Sequence, residues 1–480
     1  MNTDSDPLKV LVDYTRGLLD RLDEFFVRAT GCRAVDFSSV SQFGETVRSK
    51  AKQIAPRGED AFIWLDTEVR KFQARGGIAA FKAAKSLGGA RLVLGGSSRF
   101  GETHLNSVRN SLLYGDTVLI PDPVLPWLER ERKEERFQHV LVLQTVHCLL
   151  HLKPLVDADL PYPALVIFPS WEKSLEENDE VTIGGIRQLV TDVIASSVEA
   201  DVSSLEEAVE LSDRFPDEFF RAAEKRVLVV GPGGPVGEPL TEALRRYEED
   251  LKTWRSPEWL HDYDQLPPQR KVLNILFERI TPIYHLIENA QELRGHPLMC
   301  IEQQAHYFKL VSELSGTRLE GLDVIKPETL ALVNSLGSRR LEWLGNVSMD
   351  ALIELRINNE NEEFRGVLSG VMGRLQASDL DDVDLVAAEV CRELDGAIAT
   401  HHREMRSIQK KYNRAHGQSL ILGTGALGAM LIPALMPLLG SVAPLALAGK
   451  YGHDKVAELQ EKRELTHSLI GVLASAKANG

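Results

Sequence analysis

Apolar positions recur every three or four residues along most of this chain, which is the period of a helix buried on one face. In residues 7–88, Leu8, Leu11, Val12, Leu18, Leu19, Leu22, Phe25 and Phe26 share such a face. Residues 39–54 and 60–87 continue the pattern, with a break expected at Gly76-Gly77.

The pattern changes over residues 89–230. Four short continuous apolar runs appear there: RLVL at 91–94, TVLI at 117–120, ALVIF at 164–168 and VLVV at 227–230. Each is bounded by Gly, Pro or Asp on at least one side, as strands are. Helical stretches at 103–114, 124–156 and 186–224 separate them. Strand, helix, strand at this spacing predicts parallel crossovers and a small α/β layer.

From residue 238 the helical period returns. Helices are expected at 239–254, 269–293 and 300–314, punctuated by Pro267-Pro268 and 295–297, with 238–336 read as all-helical. Two shorter helices over 346–376 turn at Asn358-Asn359. Ser378 then reads as the N-cap of a long helix. Asp379, Asp381, Asp382 and Asp384 fill its first turns, and Arg403, Arg406, Lys410, Lys411 and Arg414 its last, so both ends complement the helix dipole. Its apolar stripe is Val383, Val386, Val390, Leu394, Ile398, Met405, Ile408 and Tyr412. A final helix is expected over 453–474.

The long helix leads into GQSLILGTGALGAMLIPALMPLLGSVAPLALAG, residues 417–449, which hold no charge. About 20 apolar residues span a bilayer as a helix, so this stretch is long for one crossing and short for two. Pro433, Pro437 and Pro444 disfavour a straight helix. A bend within 433–441 would leave two arms, each too short to cross, and a helical hairpin fits better. Its contact residues would include Leu420, Leu427, Leu431, Pro433, Pro437 and Leu438. Lys410, Lys411 and Arg414 precede it, Lys450 and Lys455 follow it, and Tyr412 and Tyr451 could lie at headgroup level. Six glycines and six alanines equally suit a tightly packed hairpin covered by protein. Lipid, protein cover, and burial released by a trigger all stay open on the sequence alone.

Composition narrows the remaining classes. The 480 residues carry 43% hydrophobic and 26% charged side chains, ordinary for a globular protein with its own core. The reading is predominantly α with a small parallel α/β layer in the N-terminal half and a helical C-terminal unit. It divides the chain into 1–88, 89–237, 238–345 and 346–480. Four separated cysteines, with no CxxC pair, argue against a disulfide framework or a structural zinc site and fit a reducing cytosol. The opening MNTDSDPLK gives no secretory signal. A net charge of −15, with basic residues interleaved among acids as in ERERKEER (129–136), argues against a general nucleic-acid binder.

Candidate chemistry is sparse. Gly95, Gly96, Ser97, Ser98 and Arg99 follow a predicted strand and precede a helix, so their amides and hydroxyls could hold an anion, with Asp122 at the neighbouring strand end. The GPGGPVG loop at 231–237 fails the dinucleotide spacing at Val236 and loses two amides to Pro232 and Pro235, so it reads as a rigid linker. Asp116 and Asp122 could ligate magnesium only with Glu102, Asp157 or Asp159 converging on them. His147 and His151 share a helix face, but Cys148 stands where a zincin needs Glu, so two core or boundary histidines are expected. Glu302 and His306 are four apart and could pair, and His401-His402 is expected to face solvent. Neither GxSxG nor GxxxxGK[ST] occurs. Two phrases, LLYGDTVLIPDP (112–123) and Arg356 with Phe364-Arg365, are distinctive but imply no activity.

No cofactor is nominated. The functional expectation is a cytosolic, non-enzymatic protein, peripheral to the inner face of a membrane, acting through 417–449 on a lipid bilayer or a protein partner. A bacterial stress or defence effector fits that description, and an oligomer is compatible with it. The alternatives are an enzyme or a nucleotide or anion sensor using the strand ends, and a scaffold subunit whose hairpin another chain covers.

Overall fold

The computed structural model describes residues 6–37, 40–49, 51–95, 100–129, 138–169, 179–314, 334–335, 339–362, 364–366, 368, 383–415 and 468–478. Helices dominate, and a sheet of four parallel strands divides them into two layers. The strands are β1 (Arg91–Leu94), β2 (Thr117–Pro121), β3 (Leu165–Phe168) and β4 (His296–Leu298), in the order β3-β2-β1-β4.

Both faces of the sheet are covered, so the strands read as unbroken apolar runs. Leu92, Leu94, Val118, Ile120, Leu165, Ile167 and Leu298 point into one core. Val93, Leu119, Val166 and Phe168 point into the other. The first core is filled by α1 (Pro7–Thr30), α2 (Val40–Ser49), the first half of α3 (Ala51–Lys85), α4 (Glu102–Ser111), α5 (Leu125–Glu129), α6 (Gln138–Leu150) and α7 (Lys153–Asp157). It also takes α15 (Met349–Ile357), α16 (Val383–Ala415) and α17 (Leu469–Ala478). The second core is built from α8 (Asp179–Val198), α9 (Leu205–Arg214), α10 (Pro216–Lys225), α11 (Leu240–Trp254), α12 (Pro257–Asp264), α13 (Pro268–Glu292) and α14 (Glu302–Leu314). The chain runs β1 to β2 to β3 in one direction, then returns through the second layer to place β4 beyond β1. Strand order therefore reverses between β1 and β4.

Three of the four expected strands are present. The fourth expectation, 227–230, is corrected. Val227 closes α10 with φ 52°, and the Leu228 amide bonds back to the Ala223 carbonyl at 2.9 Å, a left-handed helix ending. Leu228–Val230 are buried, yet their backbone is met by a side chain: the Val230 amide donates to Tyr307 Oη at 3.0 Å, and that hydroxyl donates to the Leu228 carbonyl at 3.2 Å. The fourth strand is instead His296–Leu298, inside the stretch read as all-helical. It is three residues with a central proline, tolerated because β4 is an edge pairing only with β1.

A second correction concerns Gly76-Gly77, which does not break its helix: α3 runs unbroken through both. The glycines permit close approach instead. A Cβ on Gly76 would stand 3.2 Å from the Tyr14 ring, and one on Gly77 would stand 3.0 Å from Pro169. The expected helices at 124–156 and 186–224 are each divided, the first into α5, α6 and α7 and the second into α8, α9 and α10. The Asn358-Asn359 turn is present, with Asn359 at φ 59°.

Candidate functional site

The residues proposed for membrane or partner contact, from Leu420 through Leu438 and Tyr451, lie outside the described residues, as do Ser378 and 453–467. The helix leading to them, α16, is described throughout, and Tyr412 lies in its last turn. Its buried stripe, Val386, Val390, Leu394 and Ile398, packs into the first core and ends at His401. Of the next six residues, 402–407, only Met405 is half-buried and the others are exposed. Six consecutive helical residues sample every direction around the axis, so the well-buried part of this helix ends at His401. At about 1.5 Å per residue, Ala415 lies roughly 20 Å beyond His401.

The start of α17 lies beside this part of α16. Ser468 and Ile470 face Arg392, Gly396, Ala397, Thr400, His401 and Glu404 across a groove of about 580 Å³. Leu469 is buried and its amide donates to Glu360 at 2.5 Å, while Lys477 pairs with Asp395 of α16. His401 and Ser468 thus lie at one groove. His401 is corrected here: it is buried against this groove rather than facing solvent, and burial followed by the His402 charge lowers its pKa. Among the described residues no helix is long and apolar enough to cross a membrane.

The segment that holds the Leu469 amide is fastened to the sheet by the two distinctive phrases. Arg356 is buried and donates to the carbonyls of Leu112 at 3.1 Å and Gly115 at 2.8 Å, and to that of Asp116. It thereby satisfies carbonyls beyond the C-terminus of α4. Burial pushes its pKa down to about 10, which leaves it cationic at neutral pH. Arg365 donates to the Tyr114 carbonyl at 2.6 Å and to Asp116 Oδ1 at 3.1 Å. Asn361 donates to the same oxygen at 2.6 Å, and the Ala90 amide donates to Oδ2 at 2.7 Å. Asp116 is a buried structural anion at the amino edge of the sheet. Asp122 lies at the other end of β2, about 20 Å away at strand rise, so the two cannot hold one metal ion.

The carboxyl edge carries the other candidates. Gly95 extends β1, its amide bonded to the Leu298 carbonyl at 2.9 Å, and Gln304 packs on its Cα. It therefore sits at the β1/β4 reversal, where ligands of open α/β sheets commonly bind. Gly96, Ser97, Ser98 and Arg99 lie outside the described residues. Around Gly95 the buried polar groups hold the chain itself: Gln304 accepts from the Cys300 amide at 3.0 Å and Asn334 from the Met299 amide at 2.8 Å. Asp122 is buried at the same edge. Its Oδ1 accepts from the amides of Val124 (2.9 Å) and Leu125 (3.2 Å), and its Oδ2 from Gln73 (2.6 Å). It starts the turn into α5.

In the 231–237 loop the cradle is filled by the protein's own carboxylate. A Cβ on Gly231 would meet Glu238 Oε1 at 2.6 Å, and Glu238 is paired with Arg246 at 3.0 Å. His147 and His151 face each other with Nε2 atoms 3.3 Å apart, and His147 is wholly buried among Phe26, Phe37 and Phe43. His306 bonds the Val227 carbonyl at 2.9 Å rather than Glu302. Among the described residues, no three His, Cys, Asp or Glu side chains gather as a metal site. Compared with known proteins, the chain matches no family model, no curated protein and no solved structure.

Proposed function

We propose that the protein is a non-enzymatic effector that carries residues 417–449 on an arm and applies them to an anionic membrane surface. The observation that supports this reading is the end of the buried stripe of α16 at His401, with the exposed and basic stretch beyond it leading toward 417–449 in the sequence. The 33 uncharged residues 417–449 follow this helix in the sequence, and a stretch of that composition suits contact with something outside the body.

Charge selects the surface. Residues 402–415 hold Arg403, Arg406, Lys410, Lys411 and Arg414 against Glu404 alone, on a chain whose net charge is −15. The arm is attracted to anionic headgroups while the body is repelled, which orients the molecule with the apolar stretch toward lipid. Each basic residue near such a surface contributes about 1 kcal/mol, so Lys410→Ala with Lys411→Ala should weaken binding by roughly thirtyfold. The same location puts the body at the inner face of the membrane, where anionic lipid is concentrated.

The test is flotation with vesicles of mixed zwitterionic and anionic lipid. The full chain should float, the float should fade as salt rises, and deletion of 417–449 should abolish it without moving the melting temperature of the body. Wild-type protein that stays at the bottom of the gradient at low salt rejects the membrane reading and leaves a protein partner as the cover for the segment.

A further inference from the structure

His147 and His151, in the first core, have the geometry of a chelating pair. They stand four residues apart at the end of α6, and the His151 amide bonds the His147 carbonyl at 3.3 Å, so the helical turn carries through both. Side chains at this spacing lie on one helix face, one above the other. Their Nε2 atoms are 3.3 Å apart, with the ring planes at 86°.

That separation fits one coordination geometry. Zinc–imidazole bonds are about 2.0–2.1 Å long, so two nitrogens on one ion stand about 3.3–3.4 Å apart at the tetrahedral angle, about 2.9 Å at a right angle and about 4.1 Å in line. The pair matches the first. One ring is also fixed in advance: His147 is wholly buried, stacked on Phe43 at 4.8 Å and 13°, and packed against Phe26 and Phe37.

The protons are placed for binding. Burial lowers the pKa of both rings, with His151 adding to the effect at His147 and Arg109 at His151, so both are neutral at pH 7. Metals take the neutral imidazole, so binding expels no proton from the pair. Without an ion, one Nε2 carries a proton toward the other. Coordination moves that proton to Nδ1 of the same ring, and the Ala34 backbone offers the His147 ring a hydrogen bond.

We propose that His147 and His151 together bind a borderline divalent cation, zinc above all, through their Nε2 atoms. Among the described residues no set of three His, Cys, Asp or Glu side chains gathers as a metal site, so water completes the tetrahedron. His151 is half-buried, which leaves that side of the ion open to water. Two protein ligands and the nearby charge of Arg109 keep the affinity modest and the ion exchangeable.

Calorimetric titration of the untagged, chelator-treated full chain with zinc tests the assignment. One equivalent should bind with a dissociation constant on the order of 10 µM. Cobalt(II) in its place should give the intense visible absorption of a tetrahedral ion. His151→Ala and His147→Phe should each weaken zinc binding at least tenfold, while His261→Ala, exposed on α12, should leave it unchanged. Where His147→Phe does not fold by circular dichroism, His151→Ala decides alone, because its side chain reaches the surface. Absence of saturable zinc binding overturns the proposal, and so does the pale spectrum of octahedral cobalt. Zinc binding that survives His151→Ala in a folded protein overturns it as well.

Discussion

Lowering the pH from 7 to 5 should remove a large part of this protein's stability through two histidines, His104 and His147. Burial holds both imidazoles at a pKa of about 4, against an ordinary value of 6.5, and the neighbouring His151 adds to the effect at His147. The folded protein keeps both rings neutral at pH 5, whereas the unfolded chain protonates them. The unfolded state therefore binds more protons, and stability is complete above about pH 6.5 and falls as pH drops toward 4. At about 1.4 kcal/mol per pKa unit, each histidine accounts for roughly 3 kcal/mol in full and about 2 kcal/mol by pH 5. Together they remove about 4 kcal/mol from a typical total of about 5–15 kcal/mol. A protonated His147 would gain some attraction from Phe43, stacked 4.8 Å away, but about 1 kcal/mol of cation–π energy does not reverse the sign. Urea unfolding at pH 7, 6 and 5 measures the loss. His147→Phe places a ring among Phe26, Phe37 and Phe43 and should lose about 2 kcal/mol less than wild type between pH 7 and 5. Parallel pH curves for the two proteins would refute the reasoning.

Other substitutions probe packing and fastening. Gly77→Val drives side-chain atoms into Pro169 and should cost about 1–3 kcal/mol in a urea melt, whereas Gly58→Ala, with nothing within 4 Å of its Cβ, should stabilise the same helix by up to about 1 kcal/mol. Arg356→Met strands three buried carbonyls and should cost about 3–5 kcal/mol, read as a lower urea midpoint; a loss under about 1 kcal/mol would mean that water replaces the guanidinium. Asn361→Ala removes a donor from buried Asp116, and hydrogen exchange should then speed up in α17 as well as around Gly115. Unchanged protection in α17 would show that α17 is independent of the sheet.

How far the chain could be read depended on whether an element's reason for existing is local. β1, β2 and β3 were legible because a strand covered on both faces must be a short apolar run between turn residues. Val227–Val230 met the same description and is no strand, because its carbonyl and amide are satisfied by Tyr307, 77 residues away in one bond and 79 in the other. β4 was invisible for the opposite reason: three residues containing Pro297 show neither alternation nor a β-rich run, and only its place at the edge makes it a strand. Gly76-Gly77 looked like a break because propensity disfavours glycine in helices, yet close packing of Tyr14 and Pro169 outweighs about 1 kcal/mol per glycine. The strand-end residues Gly95 and Asp122 do reach one edge of the sheet. That Asp122 is engaged by Gln73 and two amides could not be read from spacing.

The fastening of Asp116 shows the same limit. LLYGD and the Arg356–Arg365 stretch stood out in the sequence, but an arginine that bonds carbonyls leaves no pattern in its partner, since every residue has a carbonyl. Only the fold reveals that Glu360, Asn361 and Arg365, within six residues, hold both the Leu469 amide at the start of α17 and the anion that starts β2. One apolar stripe ending at His401 resists sliding poorly, because apolar contacts are non-directional. Buried hydrogen bonds to a fixed carboxylate and to backbone carbonyls are directional and discrete. They fasten the 360–365 segment, and through it the start of α17, to the parallel sheet.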